Sequence, residues 1–85
     1  MNGNLIQNAI NAMPAFISVF ENKRSTKEEV KDAARGVSNL LKMIVGRNIE
    51  HMEFNAIYGK NDPNRNEMLE KKSKEILKKL IDMEN

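Results

Sequence analysis

The chain has 85 residues, 14 basic and 12 acidic, with a single histidine, His51, and neither cysteine nor tryptophan. That length makes one domain, 1–85, near the size at which a single core is only marginally sufficient. The missing cysteines exclude a disulfide framework or a thiolate metal centre. So few His, Cys or clustered acidic groups leave little material for catalysis, so neither an enzyme nor a bound metal or cofactor is expected.

The first element runs from about Asn4 to Phe20. Taking Leu5 as origin at about 100° per residue, Ala9, Ala12, Phe16 and Val19 share one face. Ile6, Met13 and Phe20 lie beside them, and Ile10 and Ile17 widen the stripe. Such a broad arc suits a helix covered on more than one side. Pro14 lacks an N–H, which predicts a kink or a division into two short helices. Asn2, Asn4, Asn8, Asn11 and Pro14 make the segment too polar and too interrupted to span a bilayer. No basic, apolar and small-residue order marks a signal peptide. A cytoplasmic protein without membrane contact is expected.

Glu21 to Thr26 is the first connection. Ser25-x-x-Glu28 and Thr26-x-x-Glu29 both fit a capping box at the start of a second helix. That helix carries Val30, Ala33, Ala34, Val37, Leu40, Leu41, Ile44 and Val45 on one face, and Met52 rejoins the stripe. Gly36 and Gly46 fall on its other side and weaken it, by roughly 1 kcal/mol each relative to alanine. Met43, Phe54, Ile57 and Tyr58 form a second apolar face. Either the helix breaks at Gly46 and restarts near Arg47, or its C-terminal half is covered on two sides. Gly59 is placed as a left-handed C-cap.

Lys60 to Asn66 is the second connection, with Asp62-Pro63 and Asn64-x-x-Glu67 as competing helix starts. The last helix places Leu69, Ser73, Ile76, Leu80 and Met83 on one face, with Leu77 beside them. Glu67–Lys71, Glu70–Lys74 and Lys78–Asp82 are opposite charges at i, i+4, so the lysines of this helix read as a solvated surface. The expected fold class is all-α: a small three-helix bundle with a kinked first helix, becoming four-helix where a segment divides, and completed by dimerisation.

Three functional readings follow. The apolar faces exceed what three short helices bury, which points to an interaction module that binds a protein partner stoichiometrically, as a regulator or inhibitor. Homodimerisation is the commonest form of such binding. Phe16, Phe20, Phe54 and Tyr58 are its expected anchors, because aromatics dominate interface energetics. Twelve asparagines, ten lysines and eight isoleucines fit an AT-rich genome, such as that of a low-GC bacterium, a plasmid or a phage. The alternative is a nucleic-acid-binding regulator using Lys31, Arg35 and Lys42 on one flank of the second helix. From Lys23 to Arg47 seven basic residues face three acidic ones, a net of +4 able to contact phosphates. No aromatic is interleaved with these cations in sequence. A helix-turn-helix register with Gly36 at the turn fails, since it would bury Lys31, Asp32, Arg35 and Lys42.

The third reading starts from Arg47-Asn48-Ile49-Glu50-His51. This segment resembles the Arg-x4–6-His signature of HEPN ribonucleases, small helical proteins that often pair as dimers. The resemblance implies RNA cleavage by Arg47 and His51 across a dimer groove. The chain departs from the pattern, with three residues between the two. Neither Glu50 nor Glu53 lies at i±3 or i±4 from His51, so no chelate on adjacent turns forms.

Overall fold

A computed structural model describes residues 3–45 and 49–84. Among them the chain is all-helical, in four helices: α1 (Gly3–Glu21), α2 (Lys27–Val45), α3 (Ile49–Gly59) and α4 (Arg65–Glu84).

Local side chains set the boundaries. Thr26 N–H donates to Glu29 Oε1 at 2.8 Å, and Glu29 N–H donates to Thr26 Oγ1 at 3.1 Å. This reciprocal pair is the capping box of α2. Ser25, the rival cap, turns back instead, and its hydroxyl donates to the Val19 carbonyl at 2.7 Å, tying the turn to the end of α1. At α4, Asn64 N–H donates to Asp62 Oδ1 at 2.8 Å and Arg65 N–H to the Asp62 carbonyl at 3.0 Å. Pro63 thus occupies a tight turn. The first helical bond runs from Met68 N–H to the Asn64 carbonyl, so the later of the two starts is used.

The second stretch, for which the sequence leaves a division and a continuous helix both open, is two antiparallel helices. His51 Nε2 lies 3.1 Å from Ser38 Oγ, whereas 13 residues along one helix would separate them by about 20 Å. Three helices therefore become four. The break at Gly46 and the restart at Arg47 lie outside the described residues; α3 is already formed at Ile49. Conversely, α1 is one helix through Pro14. Proline in a helix costs roughly 3 kcal/mol. Pro14 is exposed, while Ile6, Ala9, Met13, Ile17 and Phe20 of the same helix are buried. Burial at about 1.5–3 kcal/mol per large apolar side chain outweighs that cost.

Sequential helices pack as neighbours and α4 returns to pack along α1, so α1 and α3 stand diagonally. The Phe20 and Phe54 rings bridge this diagonal at 6.3 Å between centroids, tilted by 49°. Phe20 and Glu21 at the end of α1 line one cavity with Asn66 and Glu67 at the start of α4, as antiparallel helices require. The core closes within one chain: Ala9, Val37, Phe54 and Leu69 are 0% exposed. The wide arc of α1 is spent here, one flank on α2 and the other on α4. Ser73 is fully buried among these residues, and its hydroxyl has no hydrogen-bond partner.

Two glycines behave differently from expectation. A Cβ on Gly36 would stand 2.5 Å from Phe16 Cζ and 2.6 Å from Cε1. Gly36 is therefore the socket in which the Phe16 ring sits, and not an idle weak point on the outer face. Gly59 is the last residue of α3 and lies outside the left-handed region, with nothing within 4 Å of its Cβ position. The chain leaves α3 through a tighter bond, from Lys60 N–H to the Ile57 carbonyl at 3.2 Å. Among the described residues no helix is long and apolar enough to cross a membrane.

Candidate functional site

Because α3 runs back along α2, its edge stands beside the basic flank of α2. A cavity of about 210 Å³ opens there, lined by Lys31, Ala34, Arg35, Ser38, Asn55 and Tyr58. Lys31, Arg35 and Ser38 follow i, i+4, i+7 on α2, and Asn55 and Tyr58 follow i, i+3 on α3, so each set shares one helix face. Ala34 forms the apolar floor. Lys31 and Arg35 are exposed, Ser38 and Tyr58 half-buried. The lining holds no carboxylate. Among the described residues neither cation is engaged in an ion pair.

Two neighbours fix the walls. The Arg65 guanidinium lies 4.9 Å from the centroid of the Tyr58 ring and its Nη1 donates to the Tyr58 carbonyl at 3.4 Å. Arg65 is outside the cavity lining, so it braces the ring and leaves the opening clear. His51 Nε2 lies 3.1 Å from both Ser38 Oγ and Asn55 Nδ2. With the ring proton on Nδ1, Nε2 accepts from both, and the imidazole links the two polar walls.

On its other side α3 meets α4 through charge. Lys72, 8% exposed, has Nζ 2.9 Å from Glu50 Oε2, 3.1 Å from Glu53 Oε2 and 3.8 Å from Glu75 Oε2. The Glu53 contact is a formed hydrogen bond. Glu50 Oε2 has no hydrogen-bond partner, so its approach to Lys72 is an ion contact. Lys79 pairs with Glu50 Oε1. The nearby charge of Lys79, then that of Lys72, holds the Glu50 carboxyl below its usual range against the opposing effect of burial. Burial works against charge on Lys72, but Glu50 and Glu53 outweigh it and hold its pKa above the usual lysine value. Read from sequence as part of a solvated face, Lys72 is instead a buried clip; its place beside Leu69 and Ile76 on one stripe was the available signal.

A third feature is apolar. Leu41 and Ile44 of α2, Glu50 of α3, and Ile76, Lys79, Leu80 and Met83 of α4 line one small cavity. The C-terminal ends of α2 and α4 and the start of α3 therefore meet at one end of the bundle. The exposed large apolar side chains Met43, Ile49, Met52, Ile81 and Met83 all belong to these helix ends, and Ile49 and Met52 are 69% and 66% exposed.

The expected site residues are divided by the fold. Phe54 and Phe20 are buried at 0% and 4% exposure, so their surface is used inside the chain. Phe16 is half-buried against Gly36 and edges a cavity with Val19 and Glu29, Phe20 edges one with Glu67 and Glu70, and Tyr58 opens onto the cavity between α2 and α3. Lys31 and Arg35 share that cavity, while Lys42 is exposed further along α2 and outside its lining. Arg47 lies outside the described residues. Spacing along the chain does not place Tyr58 beside Lys31, because that contact depends on α3 running back along α2, which sets the end of α3 opposite the first turns of α2. Among the described residues no group of three or more His, Cys, Asp or Glu is placed to hold a metal ion. No protein-family model, curated protein or solved structure matches this chain.

Proposed function

We propose that this protein is an interaction module that acts by stoichiometric association, its apolar end docking on a second copy of the same chain. The dimer is then the form in which it regulates a protein partner. The observation that carries this reading is the set Met43, Ile49, Met52, Ile81 and Met83, exposed at the bundle end where three helix termini meet. Methionine and isoleucine are costly to leave in water, and methionine adapts to an irregular facing surface. A second copy suits this end on charge. The rim carries both signs, with Lys42 exposed near the end of α2 and Lys78, Asp82 and Glu84 exposed near the end of α4. A two-fold operation can pair opposite signs across such a rim. A net charge of +2 offers little repulsion between copies. The anchors are therefore Met43, Ile49 and Met52 in place of Phe20 and Phe54.

Light scattering on a sizing column over a dilution series tests it. The expected mass is twice 9.7 kDa, falling to the monomer on dilution. Met52→Glu should lower the mass to the monomer at all concentrations with helix content unchanged. A wild-type monomer throughout, or a dimer that survives both Ile49→Glu and Met52→Glu, overturns this surface.

A further inference from the structure

We infer that the cleft between α2 and α3 binds one nucleotide of a single-stranded nucleic acid, with Lys31 and Arg35 on a phosphate and the Tyr58 ring against the base. Sequence order separates these residues, and the fold brings them to one cavity. The two cations are exposed and held in no ion pair among the described residues, so a phosphate meets no competing carboxylate. Single-strand binding combines such cations with an aromatic face on which a base stacks. Tyr58 supplies that face and is held by Arg65 from outside the cavity. Ser38 and Asn55, positioned through His51, put a hydroxyl and an amide on the wall, where a base edge or sugar hydroxyl can hydrogen-bond.

Size decides the class further. Pockets for whole small ligands begin at about 300 Å³, so a cavity of about 210 Å³ suits one unit of a chain and not a dinucleotide cofactor. A concave pocket also needs an unstacked base, which a duplex does not present. This site is separate from the apolar end, and either can hold without the other.

Tyr58 is the chain's only tyrosine and there is no tryptophan, so the intrinsic emission of the full-length protein reports on this ring. Titration with a short oligothymidylate, and with the matching RNA, should quench that emission saturably at about 50 mM salt and much less at about 200 mM. In parallel, the anisotropy of a labelled oligomer gives affinities for variants. Lys31→Ala and Arg35→Ala, both on exposed positions, should each weaken binding and flatten the salt slope by about 0.7. Tyr58→Phe should bind as wild type, and Tyr58→Leu should lose on the order of 5- to 150-fold. If Tyr58→Leu fails to fold, the Phe variant and the two charge variants still decide. Absence of quenching at low salt, or affinity unchanged in the Lys31→Ala, Arg35→Ala double variant, overturns the site. Duplex binding as tight as single-strand binding, or displacement of the oligomer by inorganic phosphate at matched phosphate concentration, overturns the base contact.

Discussion

The distance between α1 and α2 rests on a missing methyl group. Phe16 reaches so close to Gly36 that a Cβ there would fall 2.5 Å from the ring. Two opposed effects then act on Gly36→Ala. Alanine gains about 1 kcal/mol of helix propensity, and overpacking against a ring typically costs about 1–3 kcal/mol. The substitution should therefore be neutral to destabilising by up to about 2 kcal/mol in the wild type. In a Phe16→Ala background the clash is gone, and the same change should stabilise by about 1 kcal/mol. Denaturant melts of the four-member cycle read the coupling, and strict additivity would show that the ring does not sit in this socket. Ser73 offers the reverse case. Its hydroxyl is buried without a partner, a condition that costs about 1–3 kcal/mol. Ser73→Ala removes that oxygen from the core and keeps the helix, so the melting midpoint should rise; a fall of about 1 kcal/mol or more would mean that the hydroxyl is satisfied in solution.

Among the elements, α3 is the one held by charge. It is 11 residues long against 19 or 20 for the others, and Phe54 is its one fully buried side chain. Its attachment to α4 relies on Lys72 between Glu50 and Glu53, with Lys79 on Glu50. The sign of the pH dependence follows from the two shifts. Glu50 is held below its usual 4.5, so its contribution is present above that value and lost as pH falls through the folded one. Lys72 is held above its usual 10.5, so its contribution is whole below that value and fades as pH rises past it. The α3–α4 contact is thus strongest between about pH 5 and 10. Lys72→Ala at neutral pH should cost about 1–2 kcal/mol, through lost ion contacts and lost packing of its stem. The Glu50→Gln, Lys72→Gln pair should have a melting temperature that depends less on acid pH than that of the wild type. Thermal melts by circular dichroism from pH 3 to 7 check this, and parallel pH profiles for the two proteins would refute the clip.

For the whole molecule, local chemistry was readable and long-range return was not. The Thr26 cap, the Asp62–Asn64 turn and the apolar stripes of α1, α2 and α4 depend on residues a few positions apart, and each is visible as spacing. The reversal between α2 and α3 left a false trail. Met52 follows Leu41 by eleven residues, about three whole turns, so it kept phase with the α2 stripe by coincidence of period. That phase match kept a continuous helix open beside the divided one and hid the Tyr58 cleft. Lys72 was misread for a related reason, since its partners Glu50 and Glu53 come from another helix. The apolar excess was legible in amount but not in location, because Phe20 and Phe54 went inside while Met43, Met52 and Met83 stayed out. That last division has a chemical consequence. Peroxide reaches the thioethers of Met43, Met52 and Met83 directly, while Met13 is 1% exposed and shielded. Sulfoxide formation makes a soft apolar group polar, so mild oxidation would strip this end of its hydrophobic character and leave the packed interior intact.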